Sequence, residues 1–262
     1  MTSRRQWFTT LLTFLASLAL VFIILPLAVT VFSTSPTELW LALTDREVLR
    51  SFGITFLSGV IATGFGALIG VPLAWVLARR QFPGKDIVDG IVTLPIIIPH
   101  TAAGIALLMV FGGRGLLGAP LQQIGIFFVD RIAGIVVAML FIGLPFLITS
   151  SREAFAAVDI EMEKAAMIDG ASAWQIFLHV TLPQSWRGVT AGAMMMWARG
   201  ISEFGAVAIL AYNPKIVPVL VFERFQGFGL HAARPIAVIL ILAVLLAYTG
   251  LRLIANLRNN HH

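Results

Sequence analysis

The chain has 262 residues, 58% hydrophobic and 12% charged, with a mean hydropathy of +0.93; a soluble domain carries about 25% charged residues, so a soluble globular class is excluded. It contains no cysteine, which excludes disulfides, thiolate chemistry and Cys-ligated metals. The formal charge of +5 comes from Lys and Arg scattered at the ends of apolar segments, which argues against nucleic acid as a partner and for membrane orientation.

Taken in chain order, apolar runs delimited by charge or by Gly and Pro fall at Trp7 to Phe32, Phe52 to Ala78, Ile87 to Phe111, Ile132 to Ser150, Gly188 to Tyr212 and Pro235 to Ala255. Each reaches the roughly 20 residues that cross a hydrocarbon core, and none shows the alternation of a barrel strand. The expectation is an all-α, polytopic membrane protein, one domain over residues 1–262 with six transmembrane helices. Arg4-Arg5 before Trp7 resembles the start of a targeting signal, but the following run is too long and lacks a small-x-small cleavage site, so it reads as an uncleaved first span. His261-His262 read as the remnant of an expression tag.

Arg4, Arg5, Arg79, Arg80, Lys85, Arg152, Lys164, Arg187, Arg252 and Arg258 fall on one side of this layout. Arg46, Arg50, Arg114, Arg131, Lys215, Arg224 and Arg234 fall on the other. The Arg4-Arg5 and Arg79-Arg80 pairs, close to span ends, decide the orientation: both termini cytoplasmic, and residues 152–187 a cytoplasmic loop.

That loop is polar and helix-forming. Asp159 caps a helix through Met167, Gly170 interrupts it, and Ser172-Ala-Trp-Gln175 has the Ser/Gln spacing of a capping box opening a second short helix, which Thr181-Leu182-Pro183 ends. With Trp174, Ile176, Phe177 and Leu178 it is too polar to insert and too apolar for a bare linker. Composition alone leaves it as a helix lying on the membrane surface or as a docking element.

The fifth span holds Trp197-Ala-Arg-Gly-Ile-Ser-Glu-Phe-Gly-Ala206. A central Arg in a span costs about 2.5–3.5 kcal/mol on insertion scales, so Arg199 needs compensation, and Glu203 at i+4 is placed to pair with it. Arg199, Ser202 and Glu203 are therefore candidate pathway residues, or a structural ion pair facing the bundle interior. Pro99 and His100, in Leu94-Pro-Ile-Ile-Ile-Pro-His100, mark a helix break and a candidate gate; no second ligand at metal spacing accompanies His100.

Other motifs point to packing. Thr63-Gly-Phe-Gly-Ala-Leu-Ile-Gly70 lies in mid-span without a preceding strand, so its glycines serve close helix approach. Met194-Met-Met196 reads as gap filling in the core. Phe111-Gly-Gly-Arg-Gly-Leu-Leu-Gly118 offers backbone amides to an anion at a span end, or a flexible loop. The only Gly-Lys, Gly84-Lys85, is followed by Asp86, so no phosphate-cradling Gly-x-x-x-x-Gly-Lys-Ser/Thr loop is present, and no catalytic set converges.

Ala165-Ala166, Gly170 and, after nine intervening residues, Val180-Thr-Leu-Pro183 resemble the EAA loop of type I ABC importer permeases, with Lys164 where that family has its Glu and Glu163 one position earlier. Trp197 to Ala206, Ala211-Tyr-Asn-Pro214 and Leu94 to Thr101 are similar to molybdate/tungstate permeases over nearly the whole chain, and the Ser-Glu-Phe-Gly stretch also to sulfate permeases. The resemblance implies that Lys164, Ala165, Ala166, Gly170, Ala171, Ser172 and Trp174 belong to a coupling helix docked on a separate ATPase. It further implies that two such ATPase subunits hold ATP and Mg, that a second copy of the chain completes the pathway, and that an extracytoplasmic binding protein delivers the oxyanion. No cofactor is expected in this chain, and the bilayer expected is the cell inner membrane. An ion-coupled secondary transporter using Glu203 as a proton site is the competing class.

Overall fold

A computed structural model describes residues 2–257, without the side chains of residues 2–6, 251, 252 and 254–257. The side chains of Arg4, Arg5 and Arg252, together with Arg258 and the His261-His262 tag reading, lie outside the described residues. In order, the helices are α1 (Thr2–Phe32), α2 (Pro36–Thr44), α3 (Arg46–Arg79), α4 (Lys85–Ile97), α5 (His100–Phe111), α6 (Gly118–Gln123) and α7 (Ile132–Ala156). They continue as α8 (Ile160–Ile168), α9 (Ala173–Ile176), a π-turn (Phe177–Thr181), α10 (Leu182–Ile201), α11 (Gly205–Leu210), α12 (Val217–Phe228) and α13 (Leu230–Leu257). The described residues contain no strand.

Four helices, α1, α3, α7 and α13, are long and apolar enough to cross a membrane. The expected third span is a pair, α4 and α5, bent by 113° at the helix break expected at Pro99 and His100. The cause is Pro99, which has no N–H to donate and drives Ile98 into extended backbone (φ −73°, ψ 146°). The expected fifth span differs. It starts at Leu182 rather than Gly188, breaks after Ile201 and resumes as α11; carrying Arg187 and Arg199, it is less apolar than the other four. Pro183, expected to end a helix, does not: the preceding π-turn carries the helical backbone past it into α10.

α3, α7 and α10 form the centre of the bundle. α5 packs on α11, and α12 on α13. The core runs from Ala62 and Leu107 through Ile135, Met139 and Ile142 to Val207 and Leu210. Close approach explains part of the glycine run in α3: a Cβ on Gly66 meets the Met196 side chain at 2.3 Å, whereas Gly64 faces open space. Of the three consecutive methionines only Met196 is fully buried and Met195 is exposed, because successive helical positions point about 100° apart. None of the apolar window of α1 is buried by its own chain.

Candidate functional site

Residues 156–182 are organised by local rules. Asp159 caps α8 by accepting the Glu161 N–H, and α8 closes in a Schellman motif: the Ala171 N–H donates to Ala166 O and the Gly170 N–H to Met167 O. That motif needs a left-handed residue, and Gly170 supplies it at φ +88°. Ser172 and Gln175 form the expected reciprocal capping box of α9. The chain then runs through the π-turn directly into α10, so this segment has no linker before the bundle.

Its exposed surface includes large apolar side chains. Ile168, Met167 and Trp174 are largely exposed, while Ile176 is buried and Phe177 packs against Trp75 and Phe155. Trp174 is stacked on Phe177, ring centroids 5.9 Å apart, which fixes the orientation of the indole. Lys164 points to solvent and pairs with Glu161 at 2.7 Å; that carboxylate holds the ammonium above its ordinary value.

The residue that anchors the segment is Glu163, which the sequence reading left out of its site set. Its Oε1 accepts from Nη2 and Nε of Arg79 at 2.8 and 3.2 Å and from the Thr181 hydroxyl at 2.7 Å. Arg79 Nη2 also donates to Val158 O. One carboxylate oxygen thus ties α8 to the end of α3 and to the π-turn that starts α10. Both side chains of the pair are at least 85% buried, where charge-assisted bonds are strongest. A second pair, Arg152 with Asp89, joins α7 to α4 beside it.

The second constellation lies at the helix breaks. Glu203 is fully buried, and its Oε1 accepts the Ala206 N–H, which closes the first turn of α11 and explains the interruption after Ile201. Its Oε2 lies 2.9 Å from Nη2 of Arg199 and 3.2 Å from Nδ1 of His100, as ion contacts off the line of a directed hydrogen bond. Arg199 Nη2 also approaches both His100 ring nitrogens, at 2.9 and 2.7 Å, and Nη1 donates to Ser202 Oγ at 3.3 Å. Arg199, Ser202 and Glu203 therefore come together as expected, and His100, assigned separately to a gate, joins them. Pro99 stays one residue back as the N-cap of α5.

At the end of the bundle opposite Glu163, charges are interlocked. Lys215 binds Glu47 and Glu223 at 2.9 and 2.6 Å, and Arg224 binds Asp45 and Glu47 at 3.1 and 2.8 Å. Lys215 and Arg224 are thus committed to partners within the chain. The glycine-rich 111–118 loop is ordered as well. The amides of Gly115, Leu116 and Leu117 donate to the carbonyls of Gly112, Met109 and Val110, leaving none of those three for an anion.

Residues 70–259 match the family model of the binding-protein-dependent transport system inner membrane component. The chain is 38% identical to the molybdate/tungstate transport system permease protein WtpB of Thermococcus kodakarensis over 258 residues, 98% of this chain and 99% of that one. It is 32% identical to the sulfate transport system permease protein CysT of Escherichia coli over 213 residues, 80% and 77% of the two chains. Among solved structures, a bacterial ABC transporter involved in the import of the acidic polysaccharide alginate superposes with a TM-score of 0.76 at 14% identity, covering 97% of this chain and 96% of that one.

Proposed function

The chain belongs to the family of binding-protein-dependent transport system inner membrane components, and from that premise we propose that it is the permease of an ATP-driven importer of molybdate and tungstate. The observation that carries this reading is the near full-length similarity to a molybdate/tungstate permease.

In this reading the chain crosses the inner membrane six times with both termini in the cytoplasm: α1, α3, the bent α4–α5 pair, α7, the broken α10–α11 pair and α13. The end bearing Arg79 and Glu163 is cytoplasmic and the end bearing Lys215 and Arg224 faces out. Ile168, Met167 and Trp174 dock on a separate ATPase subunit, which binds ATP and Mg and hydrolyses the nucleotide. The Schellman turn at Gly170 and the capping box at Ser172 hold that surface in shape, with Lys164, Ala165, Ala166 and Ala171 forming the turn leading into it.

Two copies of the chain enclose the pathway, and an extracytoplasmic binding protein loads it. ATP can drive alternation only through different affinities for the inward and outward forms. Arg199, with Ser202 beside it, presents positive charge to the passing oxyanion while Glu203 and His100 hold it in place. Pro99 and His100, at the 113° bend, form the gate.

The test is uptake into vesicles containing the permease, the ATPase and the binding protein, with molybdate, tungstate and sulfate in competition. ATP-dependent uptake with molybdate or tungstate preferred is the expected result; uptake without ATP overturns the importer reading. The 32% identity to a sulfate permease supports a second reading, sulfate import by the same machinery, which preferential sulfate uptake establishes.

A further inference from the structure

At the outer end a cavity of 510 Å³ opens between the start of α3, the start of α7 and the loop before α12. It is lined by Arg50, Arg131 and Lys215 against Glu47 and Asp130, three cations to two carboxylates. Those carboxylates are already engaged: Glu47 by Lys215 and Arg224, and Asp130 as acceptor of the Asn213 N–H at 3.0 Å. The guanidinium groups of Arg50 and Arg131 have no hydrogen-bond or ion-pair partner among the described residues, and both residues are exposed. Ser51, only 2% exposed, also lines the cavity.

Two further features favour an anion here. Arg131 is the N-cap of the 25-residue α7, whose first turn carries the positive end of the helix dipole; from Gly134 onward its amides are bonded, the Gly134 N–H to Arg131 O. A tetrahedral oxyanion offers four acceptor atoms and no obligatory donor, which matches two guanidinium groups, a hydroxyl and helix-terminal amides.

We infer that this cavity is a weak oxyanion subsite, where the ion released by the binding protein is held before it reaches Arg199. The inference rests on the oxyanion-permease reading above. The committed pairs Lys215–Glu47 and Arg224–Asp45 form its fixed wall, while Arg50, Arg131 and Ser51 are the groups placed to bind. Placing the two free arginines beside engaged carboxylates keeps the site weak, so that the ion leaves it inward.

The experiment is equilibrium dialysis of radiolabelled tungstate against the purified permease in lipid nanodiscs, without binding protein, for the wild type, Arg50→Gln/Arg131→Gln and Ser51→Ala. Saturable binding that falls about tenfold or more in the double arginine variant, and less in Ser51→Ala, is the expected result. Binding unchanged in the double variant overturns the subsite. So does intact tungstate binding combined with lost docking of the binding protein, which assigns the two arginines to that protein's carboxylates. Failure of the importer reading shows separately, as absence of oxyanion uptake by the wild-type assembly.

Discussion

Arg199 and His100 stand 99 positions apart in the chain, yet the guanidinium Nη2 lies within 3 Å of both imidazole nitrogens. The contact joins the bend between α4 and α5 to the break between α10 and α11, and Glu203 closes it from the buried side. Two interrupted helices are thus held together by one small group of charges.

Removing Arg199 leaves Glu203 as an uncompensated buried charge. Arg199→Ala is expected to destabilise the protein by about 3–5 kcal/mol and to abolish uptake. The double variant Arg199→Gln/Glu203→Gln removes both charges and is expected to recover most of the thermal stability without recovering uptake. Detergent-phase melting curves together with vesicle uptake test this; normal uptake by the double variant rules out a pathway role for Arg199.

At Gly170 no side chain or backbone atom lies within 4 Å of an added Cβ, so only the left-handed backbone opposes substitution. Gly170→Val is expected to cost about 1–2 kcal/mol in backbone strain and to distort the turn that presents Ile168 and Trp174, uncoupling ATP hydrolysis from uptake. Gly170→Asn, which tolerates the same region, should keep coupling. Equal coupling in the two variants contradicts the docking role.

Trp174 is 67% exposed. Trp174→Ala should change stability by no more than about 0.5 kcal/mol while lowering the amount of ATPase that co-purifies with the permease. Undiminished co-purification removes the indole from the docking surface.

Glu163 accepts three donors on one oxygen. Glu163→Gln keeps the shape but loses the charge, and should lower stability by about 1.5–3 kcal/mol. Uptake should fall further than stability does, because α8 loses its attachment to both α3 and the π-turn. Scaling of uptake with folded protein alone points to a purely structural role.

The outer clamp predicts a pH window. The hydrogen bond from Lys215 holds the Glu223 carboxyl below its ordinary 4.5, so its contribution is complete above that value and is lost as pH falls through the lowered one. The hydrogen bond to Glu223, and then that to Glu47, holds Lys215 above its ordinary 10.5, so the same clamp weakens only as pH rises through the raised value. Protection factors of the α12 amides, with intrinsic exchange divided out, should stay flat between those limits and drop as pH falls through the lowered Glu223 value, with Lys215→Met showing the low protection throughout.

Much of this was legible because it depends on local rules. Helix ends at Asp159 and Ser172, the left-handed turn at Gly170 and the Arg199–Glu203 spacing follow from i to i+4 geometry and from capping chemistry. What depended on distant partners was hidden. His100 looked isolated because its neighbours in space come from α10 and the break beyond it. Glu163 looked like a one-position slip of a family motif, but that position is the one facing Arg79 and Thr181. The break at Pro99 was legible from its proline, whereas the one before α11 was not, since hydropathy averages across it and the Glu203 cap is formed by folding.

The π-turn at Phe177–Thr181 leaves no slack between the docking segment and α10. In the proposed importer, movement delivered at Trp174 would enter α10 as tilt. A 20-residue helix is about 30 Å long, so a tilt of about 5° swings its far end by roughly 2.6 Å. The far end carries Arg199, and a swing of that size would exceed what its contacts with His100 can stretch to accommodate. On that proposal the continuity of the backbone would serve as a lever arm, a small stroke at the docking segment breaking the charge cluster at the far end of α10.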